Sequence, residues 1–479
     1  MPERRPEFHS ARPRCTARAR LLPAAVLITL ATGALARTAG AEAGRALGAS
    51  ADSVTRATWT LSNGTRVVAQ HIPRGFGISI SVGYPGGSDQ DPAGRGGLAA
   101  LLAELEFMSA AGDVPERTRR EMTSLRPLGA DVHVGECFTL FTEVANRAQF
   151  YGVLHQVVTR MRGVQVTPGG VTAALATVRG HYHDQYLGAP DLALYNQMRD
   201  RATGLDDAAL RQLATVAGLE KLTAKDLAPQ VAKAFPSNRA VIAIAGNLDG
   251  MDVRAALEHE LTGVAGGPPG ALPPARRLQP FSLGTTRAGL ARPIGGIGIF
   301  APAFTDSTHP AFFLAALIVG AQGNTQWGDP VPPMTSRFQY SVIEDPDLMR
   351  LYPPMTLQDR TPEAVAQSFT STLGRQDNLV VQDDIMEQLR YGVEWLIGGR
   401  LNDAVLNHMR TDGLSLILLS TNIAERELRG GEAFWSVYRA RAEKVGVPDL
   451  VWWLAYMSDP KLEARLVFVP PEATKPAGH

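Results

Sequence analysis

The chain has 479 residues, 45% hydrophobic and 20% charged, with 47 Lys and Arg against 47 Asp and Glu. That length is too great for one hydrophobic core, so two to four domains are expected. The composition is that of a soluble globular protein, and no basic face for nucleic acid is visible.

The charge is unevenly placed. Arg4, Arg5, Arg12, Arg14, Arg18, Arg20 and Arg37 crowd the N-terminus against Glu3 and Glu7. An apolar run over 21–36 follows, with two A-x-A sites, Ala34-Leu35-Ala36 and Ala39-Gly40-Ala41. This layout predicts a secretory signal peptide over 1–41 and a periplasmic or secreted product. The run is shorter than the roughly 20 residues of a spanning helix, so membrane attachment would come only through an uncleaved signal. Cleavage would remove Cys15 and leave Cys137, so no internal disulfide is expected. Cys137 lies in an alternating segment and reads as a buried small hydrophobe.

After a lead-in, Thr58–Ile72 reads as a hairpin turning at Asn63-Gly64. A short strand is expected at Ile78–Val82, helices at about 96–110 and 116–127, and one alternating strand over Asp131–Val144. Helices are predicted at about 147–162 and 168–186. Thr223-Ala-Lys-Asp226 carries a capping pattern and opens a helix toward Ala234. Arg239–Ala245 is a buried strand ended by Gly246-Asn247, and Leu257 lies in a last helix of this half. Gly263–Pro274 is dense in Gly, Pro and Ala and reads as a flexible connection, with the linker taken as 263–290. The second half repeats the plan: a strand at Gly295–Phe300, helices at His309–Gly320 and Pro362–Gly374, long helical patterns at about 382–398, 402–420 and 431–445, and a closing strand at Glu463–Val469. The expectation is an α+β protein of two homologous domains, 55–262 and 291–472, each an antiparallel-rich sheet packed against helices.

Several frames carry a family resemblance. Leu61-Ser-Asn-Gly64-Thr-Arg-Val-Val68 is similar to L-x-N-G-x-R-V-V. Gly97-Leu-Ala-Ala100-Leu-Leu-Ala103-Glu104-Leu-Glu-Phe107 follows at the expected distance. Gly129-Ala130, Leu222-Thr-Ala-Lys-Asp-Leu227, Phe235-Pro-Ser-Asn238, Phe300-Ala-Pro302 and Ser336-Arg337-Phe338 continue the order. Together they resemble the insulinase and mitochondrial-processing-peptidase family of inverted zincins over nearly all of 56–470. The resemblance implies a zinc metalloendopeptidase fold with H-x-x-E-H on the first helix: two zinc-binding His and a general-base Glu. Here those positions read Ala100, Ala103 and Glu104, so no catalytic and no metal residue is assigned. The family's third ligand, a Glu some 75–80 residues on, has no counterpart in Val171–His183. The family's substrate-holding Arg and Tyr fall near Ile343 and Arg350, which do not match.

The resemblance therefore implies a pseudo-peptidase: no cofactor, though active relatives carry zinc, and no activity by itself. Its expected partner is a zinc-bearing homologous subunit in a heterodimer, with an extended peptide held between them. In non-catalytic subunits of processing peptidases a Gly-rich loop contacts substrate. Gly320–Gly328 is the matching stretch, which marks Gly320, Gly323 and Gly328 as substrate-binding candidates. Alternative readings are an active zinc metallopeptidase with unrecognised ligands and a structural subunit of an envelope complex.

Other clusters read as structural. His181 and His183 on one helix point about 200° apart and cannot share an ion, although Glu104 could approach one of them. Glu258-His259-Glu260 reads as a solvated helix end. Asp383, Asp384 and Glu387 suit a helix N-terminus. Trp435, Trp452 and Trp453 read as core or subunit-interface residues.

Overall fold

The computed structural model describes residues 54–274, 276–327, 338–341, 345–353, 355–374, 413–457 and 459–471. All fall in one unit, Glu42–His479. The expected leader, the helix at 382–398, Asp383, Asp384, Glu387, Ile343 and Gly328 lie outside the described residues. No helix among the described residues is long and apolar enough to cross a membrane.

The strands are β1 Thr55–Thr60, β2 Arg66–His71, β3 Ile78–Pro85, β4 Ala130–Val134, β5 Phe138–Ala145, β6 Val241–Gly246, β7 Phe281–Thr286, β8 Ile294–Phe300, β9 Phe338–Ser341, β10 Asp345–Leu351 and β11 Glu463–Val469. They form two sheets, in the orders β1-β2-β6-β3-β5-β4 and β7-β11-β8-β10-β9. Pairing is antiparallel except β2 with β6 and β7 with β11. The helices are α1 Leu98–Met108, α2 Arg119–Leu125, α3 Phe150–Met161, α4 Pro168–Tyr186, α5 Pro190–Ala202, α6 Asp207–Thr215, α7 Ala224–Ala234, α8 Val253–Glu260, α9 His309–Trp327, α10 Pro362–Gly374, α11 Gly413–Leu428, α12 Gly431–Ala442 and α13 Val447–Tyr456.

The hairpin at Asn63-Gly64 forms as expected, with Thr60 opposite Arg66. The α7 cap is a full capping box: Thr223 accepts from the Asp226 amide and Asp226 accepts from the Thr223 amide. The segment expected as one strand over 131–144 is two, β4 and β5, because the chain turns back at 135–137 and pairs His133 with Leu140. The second-half helix expected at 402–420 is described from Gly413 and runs on to Leu428.

Strand β3 shows how the first sheet is filled. Ile78, Ile80, Val82 and Tyr84 enter the core beneath α1, α3 and α4. The alternate residues Ser79 and Ser81 face α11, where both contact the Ser420 hydroxyl, at 2.6 and 2.7 Å. Period-2 alternation thus serves two covered faces. Leu416, Ile417, Leu419, Ile423 and Leu428 complete that second face.

The two halves exchange helices. Helix α11, from the second half of the chain, lies on β3, β5 and β6 of the first sheet. Helix α5, from the first half, lies on β8 and β11 of the second. Its Ala193, Leu194, Met198 and Ala202 pack with Leu348, Leu466 and Phe468. The segment read as a flexible connection is packed as it runs across. A Cβ on Gly266 would meet the Asn63 side chain at 2.5 Å, so glycine is required there by close approach. Strand β7 begins inside the stretch expected to be linker.

Candidate functional site

A cavity of about 610 Å³ opens beside the first sheet. Its walls come from α1, α4, α5, the edge strand β4 and the loop before α1, with Arg276, Asp345 and Arg350 beyond.

Helix α1 begins at Gly97, whose φ of +87° suits glycine. The Asp91 carboxylate accepts from the Gly97 amide at 2.6 Å and the Ala99 amide at 2.7 Å. This places an anion at the positive end of the helix. Burial still pushes its carboxyl up to about 6, against the pull of the Ala99 and Gly97 amides.

Ala100 and Glu104, one turn apart, line the cavity. Ala103 does not: it is fully buried in the core. Arg119, at the start of α2, stands beside them. Its guanidinium lies 3.8 Å from Glu104 and 3.8 Å from Asp131 of β4, over the Phe107 ring. Burial raises the Glu104 carboxyl, Arg119 lowers it and Asp131 raises it; the net is upward. Across the cavity, α4 presents Thr177, Val178 and His181. Burial lowers the pKa of His181, favouring the neutral ring, and its Nε2 lies 2.7 Å from the Gln185 amide nitrogen. His183 is exposed beside Asp184, so the two histidines diverge as helix geometry requires.

The donor set at this wall does not fit zinc. Ala100 and Ala103 offer no ligand, Glu104 and Asp131 sit against a guanidinium, and the imidazoles of His181 and His133 line the cavity without converging on a third such group. Zinc sites use three or four N, O or S ligands. Among the described residues one group of three acidic or imidazole ligands converges: Glu136, Asp345 and Asp347.

That group belongs to a second wall. Arg199, on α5, reaches Asp89 at 3.1 Å, Asp347 at 3.4 Å and Asp345 at 3.5 Å, and contacts Glu136 directly. Arg350 on β10 pairs with Asp345 at 2.5 Å under the Tyr195 ring. Asp89 also accepts from the Arg276 amide at 2.9 Å. Sequence reasoning missed all of this apart from noting Arg350. The available signal was three charged residues in Asp345–Leu351, a stretch otherwise apolar.

The other predicted clusters resolve as follows. Gly320 and Gly323 lie in α9, which runs to Trp327, so the expected loop is helical through that residue. Interior glycine costs a helix only about 1 kcal/mol, and the apolar run before Gly320 carries it on. Glu258 and Glu260 are not simply solvated. Glu258 accepts from the Ser62 amide at 3.0 Å and anchors the hairpin turn, while Glu260 meets His155 at 2.9 Å. Trp435 is buried and donates to the Arg426 carbonyl at 3.1 Å. Trp453 is buried too, but Trp452 is exposed and stacks on Tyr456. Cys137 is buried, and burial pushes its thiol up to about 12.

No family model and no curated protein matches the sequence. Solved structures do match. A protease from Helicobacter pylori superposes with a TM-score of 0.66 over 87% of this chain and 100% of its own, at 13% identity. The first half of the periplasmic protease PqqL from Escherichia coli gives 0.61 over 88% and 94%, at 12% identity. The peptidase M16 inactive domain from Pseudomonas fluorescens gives 0.56 over 88% and 100%, also at 12%. These matches establish the architecture and not the chemistry: the chain has the α+β fold of the M16-like, insulinase-family peptidases.

Proposed function

We propose that this chain is a non-catalytic insulinase-like peptidase homologue that holds an extended peptide for a zinc-bearing homologous subunit. One observation carries the reading. The edge strand β4 lines the cavity, beside a wall formed by Ala100, Glu104 and Arg119, where the resemblance leads us to expect zinc ligands in active relatives. An edge strand has unpaired backbone groups on one side, and an extended peptide satisfies them by adding a strand. That mode of binding needs a shaped cavity and no metal. The likeness to a domain described as inactive supports the same reading. We further read 55–262 and 291–472 as diverged duplicates, and Gly320, Gly323 and Gly328 as substrate contacts of the second. The basic leader and the periplasmic neighbour support export.

The test is co-expression with an intact H-x-x-E-H homologue from the same host. Light scattering should show a one-to-one complex, with faster peptide turnover than the homologue alone. If no complex forms and the homologue is equally active alone, the envelope-scaffold reading replaces this one.

A further inference from the structure

The Arg199 cluster joins regions far apart in the chain. Asp89 precedes α1, Glu136 sits in the turn between β4 and β5, Arg199 is on α5, and Asp345, Asp347 and Arg350 are on β10 of the second sheet. It is therefore a polar tie between the halves, and it forms one wall of the cavity. Asp345, Arg199 and Arg350 are each more than nine-tenths buried.

The charges do not balance. Asp89, Glu136, Asp345 and Asp347 meet Arg199 and Arg350. Asp200 on α5 adds a fifth carboxylate, bonded by the Tyr186 hydroxyl. Arg276 answers Asp89, and Arg429 acts on Glu136 and Asp347 from the end of α11 while also answering Glu425. The other titratable neighbours are Tyr195, Tyr340 and Tyr352, the Cys137 thiol, and His309, whose Nε2 lies 2.8 Å from the Pro346 carbonyl; burial raises Tyr340, Tyr352 and Cys137 and lowers His309 to about 4, which keeps those four neutral near pH 7. Among the described residues these five acids thus face four guanidiniums, one of which, Arg429, also answers Glu425. An uncompensated buried carboxylate is costly and takes up a proton instead. A divalent cation is a poor alternative, because two guanidiniums already occupy the space among the acids.

We propose that the Asp345–Asp347 pair, backed by Glu136, is a proton-binding site whose proton keeps the two halves closed along this cavity wall. The energetics agree with the geometry. Burial, then Asp345, pushes Asp347 up to about 7. Burial, then Asp345, also raises Glu136. Burial pulls Asp345 up as well, yet Arg350 and Arg199 hold it below the ordinary carboxylate value. The proton belongs to the coupled pair. A carboxyl raised in the folded state binds more protons there than when unfolded. Its stabilisation is complete at low pH and is lost as pH rises through about 7. Above that, repulsion among the acids opens the seam between β10 and the β4–β5 turn. This inference stands without the peptide-holding reading.

The experiment is hydrogen exchange on the full chain from about pH 5.5 to about pH 8.5, corrected for intrinsic exchange chemistry. Protection over 345–351 and 134–138 should fall by up to about tenfold per pH unit as pH rises toward about 7, where only the opened state has released the proton, and should level off above it. Asp347→Asn, uncharged and of the same shape, should hold its protection at the acid-side level throughout. Equal pH slopes in the two proteins, or a flat profile in the native chain, overturn the proposal. Should Asp347→Asn fail to fold, infrared difference spectra of the native chain decide. A protonated carboxyl band that disappears as pH passes through neutrality supports the site, and no such band on the acid side removes it.

Discussion

The two walls of the cavity handle charge in opposite ways. At the α1 wall, Arg119 is about a quarter exposed and sits 3.8 Å from each of two carboxylates. At the seam, Arg199 is buried and meets four carboxylates, three of them at 3.1–3.5 Å. A loose, part-exposed pair contributes little to stability, whereas breaking a buried network leaves charges that nothing answers. The wall where the resemblance expects chemistry is thus weakly constrained. The wall that no motif marks is the one the fold depends on.

Substitution can break this contrast most sharply at Arg199. Arg199→Met leaves the acids of the seam with one guanidinium fewer and should cost about 3–5 kcal/mol in chemical denaturation. Arg119→Met should cost less than about 1 kcal/mol in the same assay. Equal costs would abolish the distinction between the walls.

Rebuilding the α1 wall is the next test. Ala100→His, Ala103→Glu and Glu104→His together restore the motif on paper. Ala103, however, is fully buried, so the new carboxylate enters the core and should destabilise by about 3 kcal/mol. No carboxylate is added on α4 as a third ligand, and a two-imidazole zinc is poorly held. The triple variant should show no chelator-sensitive cleavage of an unstructured peptide. Robust cleavage would mean that α4 had been misread.

The smallest effect concerns Glu104 itself. Its carboxyl is raised by burial, so its contribution weakens as pH rises. Glu104→Gln should change stability by less than about 1 kcal/mol and slightly flatten the pH profile. A change as large as that of Asp347→Asn would show that the two walls titrate alike.

What the sequence made legible was local. Asn63-Gly64, the α1 frame and the Thr223 cap are signals within a few residues, and each element formed where expected. Helix α5 was missed because its buried face carries Gln197 and Arg199 among its apolar residues, which breaks the amphipathic period. Strand β10 was missed for the same reason, with Asp345, Pro346, Asp347 and Arg350 in seven residues. Their charges make sense only against partners up to about 260 residues away, such as Asp89 and Asp345 meeting at Arg199. Helix α11 is apolar on more than one face because it covers three strands of the other half's sheet, a pairing no local pattern reveals. At the candidate site, Ala100 and Glu104 were identified from the frame. Arg119 and Asp131 were not, since only the fold brings α2 and β4 to α1.

Metal content tests the central claim most directly. The chain, purified from its host without chelator, should carry far less than one zinc per molecule, because Ala100, Ala103 and an Arg119-paired Glu104 stand where ligands are expected. One tightly held zinc per chain, lost on Glu104→Ala or His181→Ala, would contradict the account and make this a metallopeptidase with a rewired site.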